Sequence, residues 1–273
     1  MSDFEPGQVW LVGAGPGDPE LLTRKAERLI GEATVVFYDA LVGAGVLALI
    51  PAHVRMEPVG KRSGRHSKDQ ASIDRLIVEA ALAGEKVVRL KGGDPAIFAR
   101  ANEELEACRA EGIAVRICPG ITAASAAAAD LGMSLTLRGL ARRLTFVTAH
   151  ARAGETVALD WQALADPQAT LAVYMGKAAA RDVSAGLIAA GLPGDTPCAL
   201  VEQASQPTGG TFLTRLDLLP IAAGTALGEG PALILIGQAV GAAVPVLRTS
   251  SNRSGKVAIS GISPACQAEM PRL

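Results

Sequence analysis

The sequence predicts an α/β protein, with a mainly parallel sheet in its first half and a mixed sheet in its second. Three observations carry that prediction. Short apolar runs alternate with stretches of helical spacing, glycine-rich turns follow several apolar runs directly, and the alternation breaks over residues 134–143 and then restarts. Strand–helix alternation brings successive strands back in the same direction, because each helix must return the chain across the sheet. The basic break at 134–143 (Arg138, Arg142, Arg143) reads as a linker. It separates a first unit at 8–136 from a second at 143–241, with a loose Ser-, Pro- and Ala-rich tail at 242–273.

The first element is the one on which the others converge. Residues 9–12, Val-Trp-Leu-Val, form an apolar run that suits a strand covered on both faces, and Gly13 ends it. Gly13, Gly15 and Gly17 permit a sharp turn with no side chain between backbone and ligand. Asp18 is placed to cap a helix whose first turn contains Pro19. Leu21, Leu22, Ala26, Leu29 and Ile30 then recur at helical spacing. Residues 34–38 predict the second strand, ending at Asp39, 46–50 a short helix and 54–59 a third strand. A polar loop with three cations, 60–67, leads into a helix that runs to Ala83 and stops at Gly84. Residues 86–90 are the fourth strand, followed by Gly92-Gly93-Asp94-Pro95. Phe98, Ala101, Leu105 and Cys108 predict one face of the next helix, 114–117 a fifth strand, and the segment from Thr122 an alanine-rich helix.

Beyond the linker, 144–148 and 170–175 read as strands and 177–190 as a helix ended by Gly191. Residues 198–202 and 210–214 read as a hairpin, and 232–237 as a final buried strand.

Composition narrows the function. A net charge of −1 leaves no nucleic-acid footprint, and 3% aromatic residues offer few stacking platforms. No apolar stretch approaches the ~18 residues needed to cross a bilayer, and the first residues do not resemble a signal peptide. Cys108, Cys118, Cys198 and Cys266 are scattered and the three histidines lie far apart, so neither a disulfide framework nor a metal site follows. The expectation is a reduced, cytoplasmic protein without metal.

In parallel sheets, ligands bind beyond the carboxyl ends of the strands. The first turn, Asp39, Lys61, residues 92–95 and Thr122-Ala123 all follow strands, so they are expected along one edge. A dinucleotide site is one reading of the first loop. Asp18, however, occupies the third glycine position of Gly-x-Gly-x-x-Gly, where a carboxylate would face a pyrophosphate. A tight turn without ligand is a second reading, and a loop for a small ligand lacking a pyrophosphate is the third.

The chain resembles the tetrapyrrole methylase family. The residues that carry the resemblance are 12–22, Tyr38-Asp39 with Leu41-Val42, 59–62 with Gly64 and His66-Ser67, and 91–95 with Ile97-Phe98. They continue with 119–125, Tyr174-Met175 and 230–237. Residues 60–67 favour the branch acting on uroporphyrinogen III over those acting on later corrin intermediates. The resemblance implies two α/β domains with S-adenosylmethionine (SAM) in the cleft between them, a homodimer, and methylation of two pyrrole carbons to give precorrin-2. That product feeds siroheme, cobalamin or haem d1. It also implies SAM contacts at Pro16, Gly92, Gly93, Asp94, Ile97, Thr122, Ala123 and Met175, with two more at Ala204 and Ala232.

For the chemistry, Asp39 is the candidate general base, against the ordinary role of a loop aspartate as a turn cap. The resemblance casts Lys61 as proton donor, and a solvated loop cation or a carboxylate anchor are its alternatives. Arg100 and Arg138 are candidate clamps for the carboxylates of the substrate, with Glu103 orienting Arg100 or assisting proton transfer. The plain alternative for Arg100 and Glu103 is a surface ion pair at i, i+3. The chain departs from the family pattern where Glu-Asn-Gly-Thr becomes Glu202-Gln203-Ala204-Ser205, and where a histidine is commonly found at Leu137. The glycines common between Arg100 and Glu103 are here Ala101-Asn102.

Overall fold

The computed structural model describes residues 4–60, 69–149 and 158–244. Lys61 and the rest of its loop lie outside the described residues, as does most of the expected tail. The first sheet contains β1 (Val9–Gly13), β2 (Val35–Tyr38), β3 (Arg55–Pro58), β4 (Val87–Lys91) and β5 (Val115–Cys118). Its order is β3-β2-β4-β1-β5, and every pairing is parallel. The helices are α1 (Arg24–Glu32), α2 (Ala44–Leu47), α3 (Gln70–Leu82), α4 (Ala101–Ala110) and α5 (Ala123–Asp130).

Side chains alternate across a strand, so each strand feeds two cores. Trp10, Val12, Val36, Val88 and Leu90 pack with α1 and α2 on one face. Val9, Leu11, Val35, Phe37 and Val87 pack with α3 and α4 on the other. That double coverage explains why the first strand is apolar at every position.

The second sheet contains β6 (Arg143–Thr148), β7 (Ala169–Tyr174), β8 (Pro197–Glu202), β9 (Gly210–Arg215) and β10 (Ala232–Ile236), in the order β6-β7-β10-β8-β9. Only β6 and β7 pair in parallel, and β8 and β9 form the expected hairpin. The helices α7 (Ala180–Ala189) and α8 (Leu219–Thr225) pack on one face, and α6 (Trp161–Leu164) closes its end. The other face is covered by α5, whose Ala124, Ala126 and Ala127 lie against Ala172, Ala199, Val201, Leu233 and Leu235. An alanine-rich helix suits that place because small side chains let helix and sheet approach closely.

Two local expectations are corrected. Pro19–Leu21 is a separate 3-10 turn capped by Asp18, and Leu22 is extended. The longer helix begins only after Thr23, whose hydroxyl accepts the Ala26 N–H. Phe98 is not on a helix: it has φ 51° in the loop before α4. The short helices α6 and α8 had no prediction, because four to seven residues show too little periodicity and Pro220 reads as a breaker.

Cys108, Cys118 and Cys198 are buried thiols. Burial pushes Cys108 up to about 11 and Cys198 up to about 12, and raises Cys118 as well. With Cys266 replaced by Ser, a disulfide reagent at pH 8 should therefore label no thiol until denaturant is added. Rapid labelling of the native protein would show that these elements open readily.

Candidate functional site

The carboxyl ends of the first sheet meet one end of the second across a cleft of about 420 Å3. That size lies in the range of small-molecule sites, roughly 300–1,000 Å3. Its floor is made by close backbone approach. Gly15 and Gly93 exchange hydrogen bonds of 3.2 and 2.7 Å, which zips the loop after β1 to the loop after β4. A Cβ on Gly13 would lie 2.6 Å from the Gly120 Cα, and one on Gly120 would lie 2.4 Å from the Gly93 carbonyl. No side chain fits between these three loops. Asp94 ties the loop after β4 to the loop after β5, accepting the Ala96 N–H at 2.7 Å and the Gly120 N–H at 3.0 Å.

The second half closes over this floor through a few polar and aromatic contacts. The Tyr174 hydroxyl meets the Thr122 hydroxyl at 2.5 Å and accepts the Ala124 N–H at 3.3 Å. Its ring lies 5.1 Å from that of Phe98, centroid to centroid. The Asp18 N–H donates to the Ser205 hydroxyl at 3.1 Å, and the Ser205 N–H to Asp130 at 2.8 Å. Asp18 is thus engaged in capping and in holding the halves together, which fits a first loop that does not cradle a pyrophosphate.

Backbone strain collects here. Among the described residues, non-glycine positions with positive φ are Phe98, Arg100, Met175, Gln203 and Ser205. All but Ser205 line the cleft. Such conformations cost of order 1–3 kcal/mol each and persist where surrounding structure imposes them, characteristically at ligand sites. Ala204 is not among them, so its methyl is carried without strain, and the unusual conformations fall on its neighbours Gln203 and Ser205. Three large apolar side chains, Leu41, Phe98 and Met175, are also left exposed at this cleft.

Every residue for which a cofactor contact is expected lines the cleft: Pro16, Gly92, Gly93, Asp94, Ile97, Thr122, Ala123, Met175, Ala204 and Ala232. Asp39 and Arg100 line it too. One Asp39 oxygen accepts the Leu41 N–H at 3.0 Å, the turn-capping contact, and the other faces Arg89 at 3.4 Å. Arg100 is exposed and forms a bidentate pair with Glu103, at 2.7 and 2.6 Å. That pairing holds Arg100 above and Glu103 below their ordinary ionisation ranges. Glu103 is not among the cleft-lining residues, and neither is Arg138, which sits exposed in the turn closed by Leu137 and Ala141.

Sequence reading missed a buried charge cluster beside Asp39. Arg89 and Lys91 are nearly inaccessible and Glu104 is fully so. Glu104 accepts Arg89 Nε at 2.9 Å and Lys91 Nζ at 2.8 and 2.7 Å. Burial, then the neighbouring Arg89 charge, pulls the Lys91 ammonium below its ordinary range, against the pull of Glu104. The signal was present in principle: two cations two residues apart at the end of a predicted buried strand need an acid on the helix above them.

The family model for tetrapyrrole (corrin/porphyrin) methylases matches residues 8–219. Among curated relatives, the uroporphyrinogen-III C-methyltransferase of Paracoccus denitrificans is 48% identical, over 85% of this chain and 80% of its own length. The siroheme synthase of Gluconobacter oxydans is 44% identical over 86% of this chain, which spans only 50% of that relative's length. Among solved structures, the uroporphyrin-III C-methyltransferase of Thermus thermophilus complexed with S-adenosylhomocysteine is 39% identical. It superposes with TM-score 0.74, covering 86% of this chain and 99% of that one. Sequence, two-sheet architecture and cleft agree: this chain belongs to the tetrapyrrole methylase family.

Proposed function

We propose that this protein is a SAM-dependent C-methyltransferase that converts uroporphyrinogen III to precorrin-2 by way of precorrin-1. The observation that carries the reading is the convergence of loops from both sheets, with four strained residues, on one cleft between them. The lining fits SAM: Ile97, Ala123, Met175, Ala204 and Ala232 offer apolar surface to an adenine ring, while the glycine loops present backbone donors and acceptors. When bound, SAM supplies an electrophilic methyl group on a sulfonium.

The chain's own part is alignment and proton management. The cleft walls hold the acceptor carbon in line for direct displacement, which accounts for much of the barrier reduction. Once a pyrrole carbon is methylated, the adduct is cationic, and Asp39 accepts the proton that restores neutrality. Lys61 is the proposed proton donor or carboxylate anchor. Arg100 and Arg138 are the proposed clamps for substrate carboxylates, with Arg100 exchanging its Glu103 partner for one of them. We place the protein in the cytoplasm as a homodimer. Among the described residues no helix is long and apolar enough to cross a membrane, and Phe212 and Leu213 on the edge strand β9 are exposed.

The test is incubation with SAM and uroporphyrinogen III kept reduced. Products heavier by one and then two methyl groups support the reading, and no methylated product overturns it. Arg100→Lys should raise KM for the porphyrinogen by about tenfold with little change in kcat, since lysine keeps the charge and loses the fork. An unchanged KM would return Arg100 to a surface pair.

A further inference from the structure

We infer that Arg89 is a positioning residue that holds Asp39 for proton transfer, and that the buried Glu104–Lys91 pair locks Arg89 in place. The inference rests on reading Asp39 as the proton acceptor.

It begins with strand parity. Val87, Arg89 and Lys91 point to the α3/α4 face of the first sheet, as do Val35 and Phe37 on the neighbouring strand. Asp39, two residues beyond Phe37, continues that line past the strand end. Charge therefore replaces apolar side chains on one face just where the sheet opens into the cleft. Glu104 comes down from the first turn of α4 to meet it.

Arg89 has little freedom. Its Nε is held by Glu104 at 2.9 Å, and its Nη1 donates to the Leu90 carbonyl at 2.9 Å and the Phe37 carbonyl at 3.4 Å. Nη2 is thereby aimed at Asp39. Lys91 fills both oxygens of Glu104, which keeps that carboxylate from rotating away from Arg89. Among the described residues, the other side-chain contact that holds Asp39 is the turn bond from the Leu41 N–H, about which its carboxylate can still pivot. The contact with Arg89 removes that freedom.

The charges also close. Two buried cations face one buried acid, and Asp39 supplies the second negative charge.

A double-mutant cycle tests this with Arg89→Met, Asp39→Asn and the combined variant. The single-turnover rate at which the neutral, deprotonated methylated product forms from SAM and reduced uroporphyrinogen III is the readout, with SAM binding by calorimetry alongside. Arg89→Met should slow formation of the deprotonated product on the order of tenfold in the wild-type background and not further in the Asp39→Asn background, because contacting residues couple. SAM affinity should change less than about twofold, well inside the factor of ten that about 1.4 kcal/mol represents. If Arg89→Met does not fold, Arg89→Lys takes its place. It keeps a charge for Glu104 but has one nitrogen to serve two carboxylates, and it should show the same coupling. Equal losses in both backgrounds would make Arg89 purely structural and overturn the inference. An Asp39→Asn variant at wild-type rate would instead remove the reading of Asp39, a distinct result.

Discussion

Asp39→Asn should bind SAM nearly as the wild type does and lose at least ~10²-fold in turnover, within the ~10²–10⁴ range typical of a general base. The structure lets this substitution keep the local turn. Asparagine keeps an oxygen that can accept the Leu41 N–H, so the turn after β2 survives. What is lost is the acceptor on the Arg89 side: an amide NH2 there can neither take a proton nor accept the bond from Arg89 Nη2. Calorimetric titration with SAM and a single-turnover assay separate the two effects. Turnover at the wild-type rate would mean that water or another carboxylate accepts the proton, leaving Asp39 as the cap of its turn.

Gly93→Val should weaken SAM binding by at least ~10²-fold, about 2.7 kcal/mol. A Cβ on Gly93 meets nothing within 4 Å, so the valine side chain would project into open space along the cleft wall. The substitution also strains the backbone, since φ is 70° and a β-branched residue resists that region. A stability loss of about 1–3 kcal/mol is therefore expected together with the binding loss. Gly84→Val is the control. Gly84 has φ 82° and open space around its Cβ, but it follows α3 and does not line the cleft. It should lose comparable stability and keep SAM affinity. Equal affinity in both variants would make the Gly92–Asp94 loop structural only.

The readability of this chain follows from the range over which each signal acts. The central strands β1, β2 and β4 were legible because apolar runs closed by glycine or a polar residue are local patterns, and the more exposed β3 and β5 because they stand between turn signals. The loop residues were legible because they follow strands, and parallel topology alone brings such loops to one edge. Phe98 was misread because helical spacing extends backwards past a helix start without penalty. In the structure the chain turns through Phe98 and Arg100 at positive φ before α4 begins. Arg89 and Lys91 at the end of a buried strand call for an acid, but nothing local names Glu104 as that acid. On a polar helix Glu104 reads as solvent-exposed, and only the packing of α4 onto β4 buries it against Arg89 and Lys91.

By itself, then, the sequence determined the order of the strands and of the longer helices, the parallel first sheet and the loops after β1, β2, β4 and β5 that meet at its edge, since these rest on local period and on glycine and proline chemistry. Only the tertiary structure decided that α5 covers the second sheet, that Ser205 and Tyr174 pin the two walls together, and that Arg89 faces Asp39. The reason is physical: those contacts join residues far apart in the chain, and a side chain's charge or size does not reveal which distant surface will bury it.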